Sequence, residues 1–144
     1  MAQTIQVTFD AADPQRLGRF WAAVLGYVDQ PPPAGHPSWA DFLASVGVPE
    51  SERDSAWSVV DPDGGGPRLF FQRVPEGKTA KNRVHLDVTV SGGRQVPLDE
   101  RRPRVDARAA ELVELGAELV GPGEEMGSYW VVLRDPEGNE FCLH

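Results

Sequence analysis

Ser128-Tyr129-Trp130-Val131-Val132-Leu133-Arg134-Asp135-Pro136-Glu137-Gly138-Asn139-Glu140-Phe141-Cys142-Leu143-His144 is two short apolar runs joined by Asp-Pro-Glu-Gly. Proline presets φ near −65° and glycine accepts positive φ, so the chain reverses there and the runs form a hairpin. The same device stands earlier: Trp57-Ser58-Val59-Val60, then Asp61-Pro62-Asp63-Gly64-Gly65-Gly66-Pro67, then Arg68-Leu69-Phe70-Phe71-Gln72-Arg73-Val74. One kind of hairpin used twice in 144 residues predicts a molecule built from two related halves.

The segments ahead of each hairpin carry the same order. Thr4 to Asp10 alternates, with Ile5, Val7 and Phe9 on one face and Gln6, Thr8 and Asp10 on the other, which predicts a strand with one apolar side. Asp13 can cap a helix, Pro14 suits its first position, and Leu17, Phe20, Trp21, Val24 and Leu25 make one stripe that Gly26 ends. Tyr27-Val28 begins a second strand. In the second half Val84 to Val90 alternates in the same way, with His85, Asp87 and Thr89 on its polar face. A proline-containing loop is expected over 91–104, then a helix over 106–115 with Val105, Ala109, Leu112 and Val113 as its stripe. Leu119-Val120 reads as a short strand that Gly121-Pro122-Gly123 breaks.

Each half therefore reads β-α-β-β-β, with pseudo-repeats at about 4–74 and 83–144 sharing one domain, since neither can bury its helix stripe and its sheet alone. Two stretches fall outside the pattern. Residues 31–54 form an excursion with a short helix near 39–46, placed as a lid by Trp39, Phe42, Leu43 and Val46. Residues 75–82 are a polar linker.

Composition narrows the function. The formal charge is −8, from 22 acidic and 14 basic residues, so nucleic acid and anionic membrane surfaces are poor partners. Arg73, Lys78, Lys81 and Arg83 bunch near the linker and read as a solvated face. No apolar run approaches a membrane span and no signal-peptide order is present, so the expected compartment is the cytoplasm. A single cysteine, Cys142, excludes an internal disulfide.

Strand parity then selects candidate site residues. If the apolar faces lie under the helices, Gln6, Thr8, Phe70, Gln72, His85, Asp87, Cys142 and His144 share the opposite faces, where convergent polar groups suit a pocket wall. His85, with Asp87 two residues on, is the candidate for a catalytic role. Trp39 and Trp57 are the aromatics expected against a flat ligand. No serine elbow, phosphate-cradling glycine loop or cysteine pair of zinc type is present.

Two β-α-β-β-β modules closing on Asp-Pro-x-Gly hairpins resemble the vicinal oxygen chelate superfamily, which includes glyoxalases, bleomycin-resistance proteins and extradiol dioxygenases. The resemblance rests on Asp13-Pro14, Phe20 to Tyr27, Val84-His85-Leu86-Asp87-Val88 and Leu133 to Phe141, and within the superfamily is nearest to its glyoxalase-like domain proteins. It implies an α+β fold of curved sheets around a cup, with a metal held from the first and fourth strands of each module. By position those sites are Gln6 and Phe70 in the first module, and His85 and Cys142 in the second. It also implies a homodimer. Neither fourth-strand site is a carboxylate, so no tightly bound cofactor is expected, and the alternative is a divalent zinc, nickel or iron on His85, Gln6 and Cys142. Three functions follow as expectations: a metal-free protein that binds a small organic molecule, a metal-dependent lyase or isomerase of the glyoxalase type, or a structural module with a vestigial pocket.

Overall fold

The structure, a computed structural model, describes residues 1–144 and divides into two compact units, Met1–Gly77 and Lys78–His144. Each unit has the same strand order and the same pattern of parallel and antiparallel neighbours, so the fold is α+β in two modules.

In the first unit, β1 (Gln6–Ala11) leads to α1 (Pro14–Leu25) and the two-residue β2 (Val28–Asp29). Next come α2 (Trp39–Ser45), a single 3₁₀ turn over Glu50–Glu52, β3 (Ala56–Val60) and β4 (Arg68–Arg73). The sheet order is β1-β4-β3-β2, with β1 parallel to β4 and the other pairs antiparallel. The ends of α1 follow from its sequence. The Asp13 carboxylate accepts from the backbone N–H of Arg16 at 3.0 Å, Pro14 takes the first turn, and Gly26 stops the helix at φ 72°. Leu17, Phe20, Trp21 and Val24 are buried, as are Val59, Leu69 and Phe71 of the sheet beneath. Phe9 links the two layers, with ring centroids 5.1 Å from Trp21 and 5.0 Å from Phe71.

In the second unit, β5 (Asp87–Val88) precedes α3 (Leu98–Glu114), β6 (Glu118–Glu125), β7 (Ser128–Arg134) and β8 (Glu140–Leu143). The order is β5-β8-β7-β6, with β5 parallel to β8. Val105, Ala109 and Leu112 of α3 are buried, together with Val131, Leu133, Phe141 and Leu143 of the sheet.

Four expectations fail here. The strand expected over 84–90 is regular only at Asp87–Val88, because Val84 is 80% exposed and has nothing to pack on. Backbone bonds to β8 nevertheless extend from Leu86, which accepts from Cys142 N–H at 3.0 Å, to Val90, which donates to the His144 carbonyl at 2.7 Å. The helix expected over 106–115 begins at Leu98 and holds Pro103 inside it. A proline there forfeits one backbone bond, but it sits in the second turn, and side chains secure the helix start. Arg101 donates to the carbonyls of Val96 at 2.9 Å and Gly127 at 2.8 Å, and Arg104 to that of Ser91 at 3.0 Å. Val113, assigned to the apolar stripe, is 38% exposed. Finally, Gly121-Pro122-Gly123 does not break β6. A bulge between Leu119 and Gly121 absorbs the irregularity, and a two-residue turn at Met126 (φ 49°) and Gly127 (φ 74°) returns the chain into β7.

Both Asp-Pro-x-Gly turns are closed by their aspartate. Asp135 is 3% exposed, and its Oδ1 accepts from the backbone N–H of Glu137 at 2.9 Å and Asn139 at 3.0 Å. Asp61 accepts from Asp63, Gly65 and Gly66, and these backbone bonds hold its carboxyl below the usual range.

Candidate functional site

Helices α1 and α3 each cover one face of their own sheet, which leaves the opposite, more polar faces to form the sites. In the second unit this face is concave, with a cavity of about 520 Å³. From β5 and its approach come His85, Asp87 and Thr89, and from β8 come Cys142 and His144. Register fixes this grouping, since Asp87 lies beside Cys142 in the parallel ladder.

The polar groups are bonded to one another. His85 Nδ1 lies 2.9 Å from Asp87 Oδ1. A carboxylate only accepts, so in the neutral ring the proton sits on Nδ1 and Nε2 keeps its lone pair. Burial pushes the Cys142 thiol up to about 11, and the Asp87 charge with its hydrogen bond to the thiol adds to the shift. His144, the last residue, is fixed by its own backbone, donating to the Val88 carbonyl at 2.9 Å, while its Nε2 lies 3.2 Å from Thr89 Oγ1.

Trp130 is among the lining residues of this cavity, and it was not singled out from sequence. The signal was present in the hairpin: Val132 pairs with Cys142, so Trp130, two residues earlier, has the same parity. Its indole lies across Gly123, where a Cβ would stand 2.4 Å from Cε2. The glycine read as a strand break is thus the seat of a ring. Tyr129 points the other way and donates to Asp106 of α3 at 2.6 Å, which pushes its phenol up to about 12.

The first unit has a second, smaller cavity of about 280 Å³ on its polar face. Trp39 and Leu43 of α2 border it, together with Arg68 and Phe70 of β4. Trp39 is held there by its indole N–H, which donates to the Gln30 carbonyl at 2.7 Å. Of the other candidates on this sheet, Trp57 also borders the cavity, whereas Gln6, Thr8 and Gln72 lie outside it. Gln6 accepts from Arg68 Nη1 at 2.6 Å and donates to Thr8 at 3.2 Å, and Gln72 donates to Asp10 at 2.8 Å. Trp57 has the parity of Phe71, and its indole packs on the helix side, where a Cβ on Gly18 would stand 2.6 Å from Cδ1. Its Nε1 donates to Asp29 at 2.9 Å.

A sequence model of the glyoxalase-like domain matches residues 6–144. The chain belongs to that family. Solved structures agree with it at the level of fold. A glyoxalase/bleomycin resistance/dioxygenase family enzyme from Burkholderia phytofirmans is 18% identical over 99% of this chain and 97% of that one, with a TM-score of 0.63. The fosfomycin resistance protein FosX from Mesorhizobium loti is 14% identical over 100% and 91%, with a TM-score of 0.62. A variant of FosX from Listeria monocytogenes, solved with Mn(II) and a dihydroxypropylphosphonic acid, is 11% identical over 100% and 90%, again at 0.62. No curated protein sequence matches the chain.

The positions at which this glyoxalase-like domain would hold a metal differ between its units. In the first, Phe70 offers no donor and Gln6 is engaged by the Arg68 guanidinium, whose charge opposes a dication. In the second, one ligand atom each from His85, Asp87 and Cys142 lies within 4.8 Å of the others. An imidazole, a carboxylate and a sulfur at that spacing fit a divalent ion such as zinc with one position left open. In such a set the carboxylate that sequence position placed at neither fourth strand would come from Asp87, two residues after His85. A metal bound there would act as a Lewis acid on a substrate oxygen.

Proposed function

We propose that this glyoxalase-like domain protein binds a small organic molecule in the cavity of the second unit, with His85 as its acid–base group. One observation carries the reading. The His85–Asp87 pair, 2.9 Å apart, opens onto a cavity of about 520 Å³ that also holds Trp130 and Thr89. Asp87 orients the ring, Nε2 accepts from or delivers a proton to a bound group, and Trp130 offers a flat apolar wall. A vestigial module has no need of this arrangement, whose polar groups lie exposed to a cavity. Soluble expression, a cytoplasmic setting and a homodimer belong to the same reading; no helix is long and apolar enough to cross a membrane.

A metal-dependent lyase or isomerase is the second reading, favoured by the His85, Asp87 and Cys142 set and by the Mn(II) of the FosX neighbour. Elemental analysis of the purified protein separates the two. Substoichiometric metal, with ligand binding that needs His85 and survives chelators, supports the first. Near-stoichiometric zinc, iron, nickel or manganese that is lost in His85→Ala supports the second.

A further inference from the structure

The cavity of the first unit holds a cation that no carboxylate answers. Arg68 donates from Nε to Gln30 Oε1, from Nη1 to Gln6 Oε1 and from Nη2 to Ser58 Oγ, each at 2.6 Å. All three acceptors are neutral. A guanidinium has five N–H donors, so one on each terminal nitrogen keeps no acceptor from the protein. The Phe70 ring lies under the group, 5.0 Å from Cζ, and adds to its orientation.

This is not for want of acids. The chain carries 22 of them, and Arg73, Arg102, Arg104, Arg108 and Arg134 each pair with a carboxylate. Arg68, part-buried, is held by two amides and a hydroxyl instead, and burial lowers its pKa. A charge partly removed from water and given only neutral partners is an unbalanced charge, which an anionic ligand would complete. The other charged groups bordering the cavity do not cancel it. Arg53 donates from Nε to the Val48 carbonyl at 3.1 Å and has no ion pair, while Glu52 lies 3.9 Å from Arg73. The cavity of about 280 Å³ also has apolar lining, from Trp39, Leu43, Val48 and Phe70.

From this arrangement we infer that the first unit binds a small aromatic carboxylic acid. Its carboxylate takes the two unused Arg68 N–H groups, and its ring lies against Trp39, Leu43 and Phe70. Three fixed neutral partners hold the guanidinium still, so little side-chain entropy is lost on binding. The inference does not rest on the reading of the second unit's cavity.

The test uses the whole chain and three probes: benzoate, its neutral isostere benzamide, and inorganic phosphate. Binding is read from the NMR shift of the Trp39 indole N–H and by calorimetry. Benzoate is expected to saturate this signal, with benzamide weaker by about tenfold or more, the scale of a charge-assisted bond. Arg68→Gln should erase the preference for benzoate while melting cooperatively, and Arg68→Lys should retain part of it. Equal affinity for benzoate and benzamide overturns the inference, as does a preference unchanged in Arg68→Gln. Phosphate binding as tight as benzoate would deny the ring its role, and benzoate shifts confined to Cys142 and His144 would put the acid in the other cavity. Should Arg68→Gln fail to fold, the wild-type comparison of the two isosteres still decides, with Trp39→Ala expected to weaken both.

Discussion

Cys142 shows how neighbours settle what one side chain can do. With its thiol pushed up to about 11 by burial and by Asp87, it is a neutral S–H at physiological pH and neither a nucleophile nor, unaided, a metal ligand. Iodoacetamide should therefore alkylate it slowly near neutral pH, and Asp87→Asn should speed the reaction by removing the charge that opposes the thiolate. Fast alkylation of the wild type, measured by mass spectrometry, would contradict this. Gly123 makes a second point. Gly123→Ala would place a Cβ 2.4 Å from the Trp130 ring, so the indole must move. We expect a changed near-ultraviolet circular dichroism band and a loss of about 1–3 kcal/mol, the usual cost of overpacking. An unchanged spectrum would mean that Trp130 is not seated there. These residues also mark what the sequence revealed. The shared face of His85, Asp87, Cys142 and His144 was legible, because period-two alternation allows only two assignments. Asp87 as the carboxylate of a donor set was not, since the expected position lay on another strand. Arg68 went unread because a charge opening a strand after Pro67 has the pattern of ordinary surface.

At the scale of elements, the Asp-Pro-x-Gly turns do more than reverse the chain. Asp135→Ala would leave the backbone N–H groups of Glu137 and Asn139 without their buried acceptor. The expected loss is about 1–3 kcal/mol, measured by denaturant unfolding, and Asp135→Asn should recover part of it. Glu140 ties the segment ahead of β5 to β8. It accepts from the Asn82 backbone N–H at 2.9 Å and lies 3.2 Å from Lys78 Nζ, and these contacts, the Asn82 bond foremost, hold its carboxyl down at about 2. Because the folded value is depressed, the stabilisation is complete above the ordinary carboxylate range and is lost as pH falls toward about 2. The stability gap between wild type and Glu140→Gln should accordingly be constant near neutrality and close between about pH 5 and 2. A gap independent of pH would show that Glu140 acts through packing alone. Helix α1 was legible from its Asp-Pro start and Gly end. The start of α3 was not, because Pro103 reads as a boundary, and only the arginines binding Val96, Gly127 and Ser91 show why the helix begins earlier.

At the scale of the whole molecule, two units repeat one strand order with different chemistry on their open faces. The first offers Arg68 and apolar walls, and the second offers a histidine–carboxylate pair, a thiol and an indole. The duplication was readable from two hairpins of one design. The division of chemistry was not, since cavities depend on which helix or loop borders a sheet, and α2 had only its spacing to place it. The central claim, that the second unit's cavity takes a small organic molecule through His85, is tested most directly by one NMR measurement. Backbone and indole shifts are followed while a panel of small polar aromatic compounds, catechol and benzaldehyde among them, is added to wild type and to His85→Ala. The account predicts saturable shifts at Thr89, Trp130, Cys142 and His144 that vanish in a folded His85→Ala protein. Binding that spares those residues, or that persists unchanged without the imidazole, would contradict it.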